Sequence, residues 1–435
     1  MPNTTPTILV FGAAGLIGQY LTADLRSRGF RIVAVARRFP RELDKDDLQL
    51  PIVAMAADKL ADLMAVRQVD VVVSCIGVLQ DGPGSDTQAV HVGFVERLLD
   101  AIRRSGRDIR LLHISMPGRE DDDRTSYSRT KREAERLIRA SGVRHVILRP
   151  GFVIAPAAFG GSALMRALAT LPVALGPSES ARPFAPVAIE DIAATVAKIV
   201  SDPAISGEGT TWELMQREPA TLGDVIAHFR RRLGGPRPLF ILTSALLTIG
   251  TWLGDLAALL GWSPPIRTTA LAELRRGVAG DPGGWIAATG IVPRALADLA
   301  TRPATVQDKW FARLYLIKAL IIVALAIFWI ASGLIALTVS FDAAAAILAS
   351  HGFPAVLVRP ATVASSAMDI GIGCAIAIRR SCKWGLIAGI GAALFYMICA
   401  ALLTPDLWLE PLGALVKTFP AIVLMLVALL MLDNR

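Results

Sequence analysis

Thr7-Ile8-Leu9-Val10-Phe11-Gly12-Ala13-Ala14-Gly15-Leu16-Ile17-Gly18 is the stretch on which the fold turns. A short apolar run enters a glycine turn, and Leu16–Arg28 then repeats apolar residues at helical spacing until Gly29. The run reads as a buried parallel strand, and Leu16–Arg28 reads as a helix. Glycines at 12, 15 and 18 have separate uses. The first permits a tight turn, the second lets backbone approach a pyrophosphate, and the third lets the helix pack close to the strand. The helix N-terminus adds N–H groups and partial positive charge. Gly12, Ala14, Gly15, Leu16, Ile17 and Gly18 are therefore the candidate phosphate cradle.

The same alternation continues outward. Arg31–Ala36, Ile52–Ala56, Asp70–Ser74, Ile109–Ser115 and Val143–Leu148 read as strands, and Val92–Arg104 and Tyr127–Ala140 as helices. Strands and helices at this spacing predict an α/β Rossmann domain, a doubly wound parallel sheet with helices on both faces. Residues 1–235 form that domain, with a small substrate lobe at about 150–235. Residues 236–304 read as a helical linker. Within it Leu242, Leu246, Ile249, Leu253, Leu256 and Leu260 keep 3–4 spacing, with Ser244, Thr248, Thr251 and Asp255 between them. That amphipathic helix either lies on a membrane surface or packs on the Rossmann domain.

The second strand ends at Arg37-Arg38, where an NAD site would carry an acid for the ribose 2′-OH. Two arginines there suit a 2′-phosphate, so NADP is the expected cofactor, with NAD the alternative. Asp58 is a candidate for adenine. Ser74, Cys75 and Gly77 end the fourth strand with small residues that let backbone pass beside a cofactor. Tyr127 and Lys131 stand four apart at the start of a helix and share one face. A phenol titrates near pH 10, and a nearby ammonium would favour its phenolate and suit it to acid–base work. The same lysine can hold the nicotinamide ribose. Ser115 ends the preceding strand and can polarise a substrate oxygen.

The 435 residues carry a net charge of +8 and four cysteines, Cys75, Cys374, Cys382 and Cys399. None forms a CxxC pair, so neither a disulfide framework nor a metal site is expected. The basic residues are scattered without an aromatic platform, which argues against nucleic acid. The N-terminus lacks the pattern of a signal peptide. Mean hydropathy is +0.52, and the apolar excess lies after about Arg313. Residues 305–435 read as an all-α four-helix transmembrane bundle: Leu314–Val339, Ala361–Ile378, Trp384–Leu403 and Leu412–Leu432. Each is close to the roughly 20 apolar residues that cross a bilayer. Arg313, Lys318, Arg379, Arg380, Lys383 and Arg435 mark one side as cytoplasmic; Asp342, Asp406 and Glu410 mark the other. Arg359 and Lys417 are exceptions, the second placed to snorkel. Both termini and the Rossmann domain are thus expected on the cytoplasmic side of the cell (inner) membrane. Asp369 stands alone in mid-helix, where it would contact a proton or quinone headgroup or bond to Ser332 or Ser365. Gly371 and Gly373 beside it suit close helix packing.

Residues 7–235 resemble the extended or atypical short-chain dehydrogenases/reductases, near the NmrA-like and complex-I-39-kDa-like branches. The motifs are GAAGLIG at 12–18, LLHIS at 111–115, YSRTK at 127–131, LRPGFVIAP at 148–156 and FAPVAIEDIA at 184–193. The resemblance implies a Ser115–Tyr127–Lys131 triad, a substrate lobe opening at Arg149-Pro150-Gly151, Pro150 beside the cofactor, and Asp191 capping a helix. His91 stands where many relatives have Asn, and is expected to pack or hydrogen-bond rather than relay protons. Residues 305–435 resemble the DoxX-like four-helix membrane domain through WIASG at 329–333 and MDIGIG at 368–373. Two functions are compatible with these features. One is a membrane-anchored NAD(P)H-dependent oxidoreductase acting on an apolar carbonyl, alcohol, lipid or quinone-like small molecule. The other is a non-catalytic NADP(H)-binding redox sensor or assembly subunit. The bundle also offers a surface for homo-oligomers.

Overall fold

The computed structural model describes residues 5–82, 86–202, 205, 209–299, 303–409 and 415–432. The chain divides into two compact units, Met1–Asp255 with Pro265–Ala312, and Leu256–Pro264 with Arg313–Arg435.

The first unit is built on seven parallel strands: β1 (Thr7–Phe11), β2 (Arg31–Ala36), β3 (Asp47–Gln49), β4 (Val71–Ser74), β5 (Arg110–Ile114), β6 (His145–Pro150) and β7 (Thr210–Leu214). Their spatial order is β3-β2-β1-β4-β5-β6-β7. The order reverses between β1 and β4, and ligands of such sheets bind in the crevice beyond the carboxyl ends of the strands at that switch point. Gly12 comes directly after β1 there, and Cys75–Gly77 after β4.

Alternation along the strands separates two cores. Ile8, Val10, Leu112 and Ile114 face α1 (Leu16–Ser27) and the helix Ile189–Ser201. Leu9, Phe11, Val72 and Leu111 face α2 (Ala57–Val66), α3 (Phe94–Arg104) and α4 (Ser126–Ala140). One strand is not where the apolar pattern put it. Ile52–Ala54 is a 3₁₀ turn, and the third strand is the polar Asp47–Gln49. Asp47 is buried and paired with Arg26 and Arg41, both at 2.7 Å, which makes a polar edge strand tolerable. After β6 the chain adds two small sheets, Phe152–Ile154 with Pro186–Ala188, and Val173–Leu175 with Phe240–Leu242, a strand in the stretch expected as a helical linker.

Among the described residues, the second unit holds three helices long and apolar enough to cross a membrane, Val306–Leu337 (which begins in the first unit), Ala355–Ala377 and Cys382–Leu403. The fourth, Thr418–Leu432, has 15 described residues. Leu412 to Ala414, Glu410 and Arg435 lie outside the described residues. A helix not expected from the pattern, Phe341–Ser350, comes after the first crossing. The ends are tied as an antiparallel bundle requires. Arg379, in the basic turn after the second crossing, donates to Leu432 O at 3.2 Å. At the other end His351 pairs with Asp406 at 2.9 Å, and Arg359, the misplaced basic residue, pairs with Asp342 at 3.6 Å. A Cβ on Gly373 would stand 2.6 Å from Ile330 Cγ1, and one on Gly333 2.5 Å from Ser366 O. These glycines let helices approach closely. Gly371, expected to do the same, faces open space. Asp369 accepts a hydrogen bond from Tyr396 at 2.9 Å rather than from Ser332 or Ser365.

Candidate active site

Two of the three glycines in the candidate nucleotide cradle, Gly12 and Gly18, are sterically required. Gly12 has φ +79°, and a Cβ on it would lie 3.0 Å from Cys75 C and O. A Cβ on Gly18 would lie 2.2 Å from Gly12 O. Gly15 N-caps α1 with no side-chain hydrogen bond to the first-turn amides, and Ala14, Leu16 and Ile17 complete the turn. Open amides at a positive helix end, with backbone passing close by, fit a dinucleotide pyrophosphate. Arg37 and Arg38 come after β2, exposed, and neither joins an ion pair among the described residues. Ser74 is buried with its Oγ unpartnered, and burial pushes the Cys75 thiol up to about 12, so it is inert.

Opposite this cradle lies the start of α4. Thr125 caps the helix through a capping box with Ser128, which fixes the first turn carrying Tyr127. Lys131 is buried one turn on. Its Nζ donates to Ile76 O at 3.2 Å and Ile114 O at 3.0 Å, and a Cβ on Gly77 would be 3.4 Å from it. Burial lowers the ammonium to about 8, against opposing help from Cys75 and Glu135. The Tyr127 ring meets His91 edge-on at 5.6 Å. His91 Nε2 accepts from Val78 N at 3.1 Å, so its Nδ1 carries the proton toward Thr130 Oγ1 at 2.8 Å. Burial drops that imidazole to about 2. His91 is thus a neutral strut between the loop after β4 and α4, the structural part expected of it.

The phenol departs from the simple expectation. Burial, with Glu273 adding, raises Tyr127 to about 12; Arg276 and Arg132 oppose this. Lys131 is engaged by carbonyls, and its ammonium does not lower the phenol here. Ser115 Oγ is buried beside the Glu135 carboxylate, outside hydrogen-bond geometry. Among the described residues no hydrogen bond links Ser115, Tyr127 and Lys131.

With this geometry in place, comparison with known proteins is informative. Residues 8–213 match the NAD dependent epimerase/dehydratase family, and residues 326–426 match the DoxX-like family. Residues 8–213 thus form an NAD(P)-dependent oxidoreductase domain of the epimerase/dehydratase type, and residues 326–426 a DoxX-like region. It is 28% identical over 303 residues to a 3-diazoavenalumate denitrifying reductase of a Streptomyces species, covering 59% of this chain and 95% of that protein. It is 24% identical over 261 residues to the mitochondrial NADH-ubiquinone oxidoreductase 40 kDa subunit of Neurospora crassa, covering 57% and 67%. The fold is similar to a UDP-glucuronic acid 4-epimerase from Bacillus cereus solved with UDP-glucuronic acid and NAD, at 15% identity and TM-score 0.51, covering 72% of this chain and 99% of that one. A nucleoside-diphosphate-sugar epimerase from Staphylococcus aureus gives the same score at 15% identity, covering 67% and 98%.

Within this oxidoreductase domain, two residues read from the sequence are engaged elsewhere. Asp58, considered for adenine, sits in the first turn of α2, exposed, with its carboxylate 2.5 Å from Arg104 Nη1. Asp191 does not cap its own helix; it accepts from Arg294 N at 3.1 Å and fastens a later loop. Pro150 ends β6 opposite Leu214 of β7, and Gly151 after it packs so closely that a Cβ would reach 2.4 Å from Ala185 O. Arg149 is held by Glu135 at 2.5 Å. The sequence pattern gave no sign of the helix Thr268–Arg276 as part of the site. Arg276 pairs with Asp123 at 2.7 Å and donates to Pro117 O at 3.0 Å. Glu273 accepts from Thr125 Oγ1, 148 residues away in sequence. No local spacing signals a contact over such a distance.

Proposed function

We propose that this protein is a membrane-anchored, NADP(H)-dependent oxidoreductase that moves a hydride to or from an apolar carbonyl, alcohol, lipid or quinone-like substrate. The observation that carries the reading is the placement of Tyr127 and Lys131 on one face of α4, with Lys131 Nζ against Gly77 at the switch point. The bound cofactor supplies the hydride. Lys131 would hold the nicotinamide ribose, for which it must exchange its bonds to Ile76 O and Ile114 O. Tyr127 would give or take the proton on the substrate oxygen, and Ser115 would orient that oxygen after turning from Glu135. Arg37 and Arg38, exposed and without an ion pair among the described residues, would meet the 2′-phosphate. The DoxX-like bundle would anchor the enzyme in the cell (inner) membrane with both termini cytoplasmic, a reading supported by the basic turn at Arg379 and the return of Thr418–Leu432 to that end.

A second reading, NADP(H) binding without turnover, is favoured by the phenol held near 12 and the disengaged Ser115. One experiment separates them. Purified full-length protein in detergent or nanodiscs is assayed for NADPH oxidation with quinones and long-chain carbonyls, beside Tyr127→Phe. Oxidation that the variant lacks supports the enzyme. Oxidation by neither protein, with NADPH still bound, supports the binding-only reading, and oxidation that persists unchanged in the variant removes Tyr127 from the chemistry.

A further inference from the structure

The helix Ser244–Leu259 is turned inside out for a helix on a water-soluble surface. Its inner stripe is Leu247, Thr251, Gly254 and Ala258, all buried. Three of the four are small or polar, and a Cβ on Gly254 would overlap Ile266 O. The polar residues between the leucines also point inward. Ser244 donates to Glu179 at 2.8 Å, Asp255 pairs with Arg267 at 2.8 Å, and Thr251 is fully buried. The outer stripe carries the large apolar side chains. Leu246, Ile249, Trp252, Leu253, Leu256 and Leu259 are exposed, Trp252 to 63% and Leu253 to 62%. Leu239, Phe240 and Ile241, just before the helix, are exposed as well. Soluble proteins rarely leave so continuous an apolar face to water.

The chain itself points to what covers this face. Directly after the helix, Leu260 O accepts from Arg379 N at 2.9 Å, and Trp262 Nε1 donates to Ala377 O at 2.7 Å. The Arg379 guanidinium stands 5.5 Å from the Trp262 ring. Ala377 and Arg379 are the end and the basic flank of the second crossing, the level at which headgroups meet acyl chains. A tryptophan and an arginine there make an interfacial anchor. The end of the helix from Leu256 onward belongs to the same compact unit as that crossing, and there Leu256 and Leu259 are exposed. Arg237 comes shortly before the helix in sequence and Arg379 contacts Leu260 and Trp262 just after it, charges suited to anionic headgroups.

We propose that residues 239–260 form an in-plane membrane helix, its outer stripe sunk in the headgroup–acyl boundary of the same bilayer the bundle crosses. This rests on reading the C-terminal helices as crossings. Arg267, past the Trp262 anchor, donates to Asp81 O, and the next helix, Thr268–Arg276, clamps the loop before Tyr127. The same segment thus joins a lipid-facing helix to the wall of the catalytic site.

The test uses the full-length chain in nanodiscs of mixed phosphatidylcholine and phosphatidylglycerol. A photo-reactive p-benzoylphenylalanine replaces, one at a time, Leu253, Ile249, Phe395 on the exposed face of the third crossing, and Val66 on the exposed surface of α2. Irradiation and then mass spectrometry should find lipid adducts at 253, 249 and 395, and none at 66. Lipid adducts at 395 with none at 253 or 249 overturn the in-plane helix and leave the crossings intact, as would cross-links from 253 to a second protein chain. Absence of lipid adducts at 395 itself overturns the membrane reading, and this inference with it.

Discussion

Glycine does different work in the two halves of this molecule. In the first unit Gly12 and Gly18 clear space where the chain turns back on its own backbone, Cys75 beside one and Gly12 O beside the other. In the second unit Gly333 and Gly373 clear space where one helix must approach another. The large side chains are reversed as well. Ile8, Leu9, Phe11 and Phe94 are fully buried in the sheet unit, whereas Phe395, Leu402 and Leu430 stand exposed on the bundle. Water drives the first pattern, because apolar area removed from it is stabilising by about 25 cal/mol per Å². Lipid removes that drive, so the bundle holds through close packing and few polar contacts such as Tyr396–Asp369. Chemistry is accordingly expected of the first unit, and packing and placement of the second.

The sharpest way to break this is to disable each unit's most chemical residue. Tyr127→Phe should lower turnover about 10²–10⁴-fold, the usual contribution of a general acid–base group, with cofactor affinity nearly unchanged. Asp369→Asn should leave turnover close to wild type, since the amide can still accept from Tyr396. Steady-state NADPH oxidation measures both, and an inactive Asp369→Asn enzyme would place chemistry in the bundle.

Next in size is the packing effect of a bundle glycine. Gly333→Val should cost about 1–3 kcal/mol more than Gly371→Val, because overpacking adds to a shared helix-propensity loss. Thermal unfolding in detergent reads the difference; equal losses would mean that the helices do not pack through Gly333.

The cofactor arginines come third. Charge-assisted hydrogen bonds contribute about 1.5–3 kcal/mol, so Arg37→Ala should weaken NADPH at least about 10-fold and NADH little. Titration of both cofactors decides it, and equal affinities of the wild-type protein for the two would remove the 2′-phosphate argument.

The smallest effect is on pH. Lys131 is held near 8 in the fold against 10.5 for an ordinary lysine. The unfolded chain therefore binds more protons across that interval, and stability rises with pH. Tyr127, held near 12 against 10, acts in the opposite direction above about pH 10. Between about pH 8 and 10 the thermal midpoint of wild type should rise relative to Lys131→Met. Parallel curves would show that the lysine is not desolvated.

The sequence by itself determined whatever depends on neighbours a few residues apart. The strand–GxxGxxG–helix turn, the alternation of strands and helices, the shared face of Tyr127 and Lys131, and the existence of the first three long apolar helices all follow from local pattern. The first two of those helices, Val306–Leu337 and Ala355–Ala377, nonetheless begin several residues before their expected starts at Leu314 and Ala361. Tertiary structure decided what depends on distant partners. The apolar Ile52–Ala54 yielded its strand to Asp47–Gln49 because Arg26 and Arg41 neutralise Asp47 at the sheet edge. Arg104 took Asp58, Tyr396 took Asp369, and Thr268–Arg276 came to lie on the loop before Tyr127. The amphipathic pattern of 242–260 showed two faces but not which one turns outward. Periodicity fixes the separation of faces, while their orientation depends on what Glu179 and Arg267 offer to the polar side and on the solvent that meets the other.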